Sequence, residues 1–399
     1  MQHTFETIVL GLGAMGSAAV YQLARRGNRV LGLDQFSPPH NQGSSHGDTR
    51  IIRQALGEGD AYVPLVLRSY ELWREIEKEI GQQILTITGG LVLENWRSDA
   101  VMHGRRNFLD ETLRCAKRFN IRHEILEAKE IRQRYPQFAV TDERGYFEYE
   151  TGYLKPELCI QAQLNLAERF GAWFQTNEKV LSISHGRPGA KITIETDRGV
   201  YHTEKVIIAA GSWIHRFLDP PYSGHFKIHR QVMYWFNIQD AARAAFSVGP
   251  FPIFIWIFER NGDYVFYGFP SLDGKTVKMA SEQYARVTTP EKVDRNISEE
   301  EKESMFKTYV QERLPDIANV CSRAESCLYT TTSDSNFVID FYPGHKGIVI
   351  ASPCSGHGFK HSAAIGEVLA QLVIDGKSKI DINSFRMERF TSEAGSTSV

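Results

Sequence analysis

Thr7-Ile8-Val9-Leu10-Gly11-Leu12-Gly13-Ala14-Met15-Gly16 is an apolar run that ends in a glycine loop, and the fold follows from it. Four consecutive apolar or β-branched residues read as a buried strand. Ser17 to Arg26 then reads as a helix with Ala18, Ala19, Leu23 and Ala24 on its small, apolar face. Gly27 stops that helix, and Arg29-Val30-Leu31-Gly32-Leu33 is a second strand that ends at Asp34. In such a βαβ unit Gly11 permits the tight turn. Gly13 lets a pyrophosphate approach the backbone, and Gly16 allows close helix–strand packing. Phosphate oxygens then meet the free N–H groups and positive dipole end of the helix. Asp34 stands 18 residues after Gly16, where a carboxylate accepts hydrogen bonds from ribose hydroxyls. Strand, loop, helix, strand and acid in this order predict a dinucleotide site.

Outward from this unit, Ser37 to Gly47 is a polar, Pro/Gly-rich loop, Tyr62 to Ile80 an amphipathic helix, and Leu158 to Arg169 another helix. Val206-Ile207-Ile208-Ala209-Ala210-Gly211 reads as a second buried strand ending in glycine. Between about 225 and 290 the aromatic, β-branched runs QVMYWF, PIFIWIFE and DYVFYGFP predict a sheet. The segment 289–315 is charged and reads as helical, Gly347 to Ala351 as a strand, and Ala363 to Ile374 as a helix. The early glycine loop, the second glycine-ended strand and a late loop, Ser355-Gly356-His357-Gly358-Phe359-Lys360, favour FAD over NAD.

The expected fold class is α/β (α+β): a Rossmann-like, glutathione-reductase-type FAD domain with an inserted antiparallel-sheet substrate domain. The expected division assigns 1–85, 150–220 and 322–390 to the FAD domain, 86–149 and 221–321 to the substrate domain, and 391–399 to a disordered tail.

A formal net charge of −2 over 399 residues gives no basic excess for nucleic acid and no support for a membrane-surface role. Five cysteines lack CxxC pairs or regular spacing, so neither a metal site nor a disulfide framework is expected. With no leader-like start and no membrane-length apolar run, a cytoplasmic location is the expectation.

Further blocks carry a family resemblance. Gly47-Asp48-Thr49-Arg50-Ile51-Ile52-Arg53, Gly57-Glu58-Gly59, Tyr62-Val63-Pro64-Leu65, Arg230-Gln231-Val232, Tyr267-Gly268-Phe269-Pro270, Cys327-Leu328-Tyr329-Thr330 and the late glycine loop appear in order along nearly the whole chain. Together the chain resembles the monomeric sarcosine oxidase and N-methyltryptophan oxidase family. That resemblance implies oxidation of a secondary amino acid by O2, with hydrogen peroxide, an aldehyde or keto product and the dealkylated amine as products. It also implies a monomer.

The resemblance implies that Cys327 bonds to the 8α carbon of FAD and that Arg53 and Lys360 hold the substrate carboxylate. It places Arg50 and His357 beside the flavin, Tyr267 and Tyr329 in the cavity wall, and makes Lys278 the lysine that activates oxygen. Ser44, Thr49, Val180, Gly356, Gly358 and Lys360 complete the expected cofactor contacts. One position departs from the pattern: Glu282 stands four residues past Lys278, where the family carries a histidine. Glu282 is either a carboxylate in the substrate pocket or, with a local shift of alignment, a surface residue. The rival readings are a flavin dehydrogenase with another electron acceptor and a flavin-binding protein without turnover.

Overall fold

The computed structural model describes residues 5–95, 102–103, 105–186, 190–259 and 263–392. The strand Thr7–Leu10 lies inside a six-stranded sheet, with Val30–Leu33 and Trp173–Gln175 on one side and Lys205–Ile208, His345–Ser352 and Val338–Tyr342 on the other. All neighbours are parallel except the last pair. Thr7, Ile8, Val9 and Leu10 are all buried, because helices and loops cover both faces of a parallel sheet. Helices Ala14–Arg25, Pro156–Arg169 and Ser362–Asp375 pack against one another over this sheet.

Gly366 makes the closest of these approaches possible. A Cβ there would lie 2.5 Å from the backbone carbon and the Cβ of Ala18. The small face expected around Ala18 and Ala19 therefore receives a second helix.

A larger, mostly antiparallel sheet contains Phe226–Ile238, Ile253–Glu259, Asp263–Gly268 and Thr276–Ser281, joined by Gly90–Asn95, Glu143–Glu148 and His123–Leu126. Its face is aromatic: Phe138 stacks on Phe251, and Trp256 stacks on Phe266. The long strand Ile317–Thr332 pairs with Phe226–Ile238 along nearly its whole length, from Ile317 against Ile238 to Thr332 against Phe226. It brings Cys327 and Tyr329 from the larger sheet to the edge of the nucleotide fold. A small sheet of Arg50–Ile52, Gly152–Leu154 and Leu85–Ile87 lies beside it.

Two expectations need correction. The charged segment 289–315 is helical only over Glu299–Met305, with a wider π turn at Phe306–Val310; Ser298 and Glu301 form the capping box that starts it. Of the tail expected over 391–399, Thr391 and Ser392 belong to a helical turn, Arg389–Ser392, and residues 393–399 lie outside the described part. No helix among the described residues is long and apolar enough to cross a membrane.

Candidate active site

A cleft of about 1400 Å³, open mouth included, runs from the glycine loop to the late loop. At one end it is lined by Gly11, Gly13, Asp34 and Val180, in its middle by Ser44 and Gly211, and at the other end by Arg50, Tyr329, Gly356 and Gly358.

The glycine loop is shaped as an anion cradle. Gly11 has φ +85°, and a Cβ on it would sit 2.5 Å from the Ala209 carbonyl oxygen. A Cβ on Gly16 would sit 1.7 Å from the Gly11 carbonyl oxygen, so the helix can start this close only without a side chain. Gly13 has no atom within 4 Å of its Cβ position; it faces open cleft at the helix N-terminus. These residues fit a dinucleotide pyrophosphate. The Asp34 carboxylate accepts the backbone N–H groups of Leu12 (2.7 Å) and Phe36 (2.8 Å), and so fixes both ends of the loop while still lining the cleft.

At the other end, Arg50 donates to the carbonyls of Thr49 (2.8 Å) and Ser44 (2.6 Å), and Ser44 donates to the Leu328 carbonyl. The hydroxyls of Tyr267 and Tyr329 stand 3.3 Å apart, and burial pushes the Tyr267 phenol up to about 12.

Cys327 does not line the cleft. Its side chain is buried with Met233, Trp235 and Ala280 in the strand wall directly behind it. Burial raises its thiol pKa, and the cations Arg50, Lys278 and Arg295 oppose that rise.

Lys278 also lies off the cleft. Its Nζ donates to the carbonyls of Gly47 (2.5 Å) and Thr49 (2.8 Å) and to the Thr49 hydroxyl (3.1 Å). It forms part of a separate cavity with Asp48, Trp235, Phe269 and Arg323. Burial, then Arg50, hold its pKa well below the ordinary lysine value. Thr49 accordingly faces Lys278 and this second cavity.

Arg53 and Lys360 come together as expected, but around a residue the sequence had left without a role. Glu58 is buried and accepts from Arg53 Nη2 at 2.8 Å. Lys360 Nζ stands 3.7 Å from its other oxygen, and His357 Nδ1 3.9 Å. Arg53 also donates to the Ala55 carbonyl. Although burial favours the neutral acid, Arg53 and Lys360 hold Glu58 well below the usual carboxylate range. Burial lowers Lys360 to about 8, against the pull of Glu58. His357 is buried, stacked on Phe337 at 4.6 Å, and held well below the ordinary histidine value by desolvation. Lys360 Nζ also donates to the His357 carbonyl (2.8 Å), one residue before the glycine that opens a 3-10 turn, Phe359–His361, leading into Ser362–Asp375.

Glu282 is no surface residue. Only 7% of its side chain is exposed, and it accepts from Tyr284 Oη at 2.8 Å and pairs with His103 Nε2 at 2.8 Å. His103 Nδ1 stands 3.2 Å from Glu58 Oε1. Glu58, His103 and Tyr284 were therefore missed from sequence. Glu58 lay inside a quoted block, between two glycines, and a buried acid beside two expected cations was a signal available there. His103 carried none, since it stands alone in a weakly patterned stretch.

The profile of the FAD-dependent oxidoreductase (DAO) family matches residues 6–372. The chain is 38% identical to monomeric sarcosine oxidase of Streptomyces avermitilis over 98% of this chain and 99% of that protein. It is 34% identical to N-methyl-L-tryptophan oxidase of Salmonella dublin over 97% and 99%. Among solved structures, NikD, described as an unusual amino acid oxidase essential for nikkomycin biosynthesis, matches 96% of this chain and 97% of its own with a TM-score of 0.81 at 21% identity, a likeness of fold.

Proposed function

The chain belongs to the DAO family of FAD-dependent oxidoreductases, and from that premise we propose that it oxidises a secondary, N-methyl amino acid of the sarcosine type with O2 as final acceptor. Water hydrolyses the imine that oxidation leaves, so the products are hydrogen peroxide, an aldehyde or keto compound, and the dealkylated amine. One observation carries the reading: Arg53 and Lys360 converge on one buried carboxylate, Glu58, and Lys360 follows directly on Gly358 and Phe359, which line the cleft. FAD, when bound, accepts the hydride equivalent from the carbon beside nitrogen and passes the electrons to oxygen.

The protein supplies position and charge. Arg53 offers a planar fork and Lys360 a second cation to the substrate carboxylate. Tyr267 and Tyr329 present hydroxyls to the amine side, and the surrounding aromatic wall excludes water. Arg50 and His357 flank the ring end of the cleft. Lys278, approached from its own cavity, places a cation where negative charge develops on oxygen. Cys327 is the proposed attachment atom for FAD, its thiolate favoured by Arg50, Lys278 and Arg295. Ser44, Thr49, Val180, Gly356 and Gly358 complete the cofactor contacts. The division is as the sequence suggests: 1–85, 150–220 and 322–390 for the cofactor, and 86–149 and 221–321 for the substrate. A monomer acting inside the cytoplasm completes this reading.

The test is anaerobic mixing of the purified yellow protein with a panel of N-methyl amino acids. Bleaching by at least one, followed by return of colour and peroxide on admitting air, is expected. Absence of bleaching across the panel would overturn the reading; bleaching without reoxidation by air would favour a dehydrogenase.

A further inference from the structure

His103 stands between two buried carboxylates, 2.8 Å from Glu282 Oε1 and 3.2 Å from Glu58 Oε1. The imidazole and both acids are more than nine-tenths buried. The groups that face the ring are Glu58, Glu282, the Tyr284 hydroxyl beside Gly356, the His357 ring at 4.9 Å and Phe108 at 6.2 Å. Arg53 and Lys360 lie beyond Glu58.

Two of these atoms are unfinished. Glu58 Oε1 and His103 Nδ1 have no aligned hydrogen-bond partner, although both are buried and next to the cationic clamp. They face each other at 3.2 Å, so the imidazole and the carboxylate are paired by charge without an aligned hydrogen bond.

We propose that His103, oriented by Glu282, is a positioning cation that leaves the clamp one positive charge in excess, so that the cavity binds a single carboxylate as its balancing anion. This rests on the assignment of Arg53 and Lys360 as the carboxylate clamp. With His103 protonated, the three cations Arg53, Lys360 and His103 face the two carboxylates Glu58 and Glu282. One incoming carboxylate balances the set. With His103 neutral the set is already balanced, and the same carboxylate becomes an uncompensated buried anion.

His103 also gives Glu58 a third cationic partner beside Arg53 and Lys360, so that Arg53 can turn its fork towards the substrate without stranding Glu58. The protonation state agrees: burial disfavours the imidazolium, but Glu282 and Glu58 together raise it to about 9. Neighbouring His357 and His361 are held far below their ordinary values by burial and add no charge.

The experiment titrates the flavin-loaded protein with methoxyacetate, an ether analogue of sarcosine that has a carboxylate and no amine, and follows the perturbation of the flavin absorbance. In the unaltered protein, affinity is full below about pH 8 and falls as pH rises through the Lys360 value of about 8 and the His103 value of about 9. His103→Gln weakens binding at pH 7 by about tenfold or more and removes the upper step. Glu282→Gln keeps the imidazole but moves its step down towards the ordinary histidine value of about 6.5. His103→Lys restores the pH 7 affinity. The proposal is overturned if His103→Gln binds methoxyacetate within twofold of the unaltered protein, or if the Glu282→Gln profile overlays it. Should His103→Gln fail to fold, the Glu282→Gln profile decides alone. Because methoxyacetate binding needs no turnover, failure of the oxidase reading and failure of this one are separable.

Discussion

At the scale of single residues, the proposed chemistry depends on cations held out of water. Lys278 Nζ donates to three neutral oxygens and to no carboxylate, and the proposed function assigns its charge, which burial disfavours, to a developing anion. Lys278→Met should slow reoxidation of the reduced flavin by roughly 10²–10³-fold, the usual cost of one electrostatic stabiliser, with anaerobic reduction little changed. Stopped-flow mixing of the reduced protein with oxygenated buffer measures it. Cys327→Ser should leave a yellow protein whose colour passes to the supernatant on acid precipitation, whereas the unaltered protein keeps its colour in the pellet. Cys327 is expected as the attachment point from its position in the Cys327-Leu328-Tyr329-Thr330 block, and the acid precipitation decides it. The Glu58–His103–Glu282 triad was not legible in the sequence, because tertiary packing that no local pattern encodes brings its members together, His103 and Glu282 alone across 179 residues.

At the scale of elements, the glycine loop and its strands were readable because their requirements are local. A buried strand, a helix start without side chains and an acid at the next strand end are all written within residues 7–34. The inserted sheet was readable from its aromatic alternation. The segment 289–315 misled because charge-rich composition resembles a helix surface, while only the Ser298–Glu301 box starts one. The contact between the helices Ala14–Arg25 and Ser362–Asp375 is tight enough to test. Gly366→Ala would force its new methyl against the Ala18 backbone, and we expect a loss of about 1–3 kcal/mol, read as a lower Tm at unchanged absorbance.

At the scale of the whole molecule, the cofactor cleft is walled by segments far apart in the chain, from Gly11 to Phe359. Filling it should therefore stabilise the whole fold. In Cys327→Ser stripped of flavin, adding FAD at a hundred times its Kd should contribute about 2.7 kcal/mol, seen as a concentration-dependent rise in Tm. A Tm indifferent to FAD would mean that the cleft is not its site.

The strand order has a consequence in time. The walls of the cleft come from early, middle and late parts of the chain, residues 10–50 and 351–359 among them, and the strand Lys205–Ile208 finds its neighbour only in His345–Ser352. While the chain is being made, the edge of Lys205–Ile208 stays unpaired until His345–Ser352 has followed, and in that interval it is the surface that a chaperone would have to cover. Flavin capture in this cleft waits for the same late part of the chain, since Gly356 and Gly358 line it.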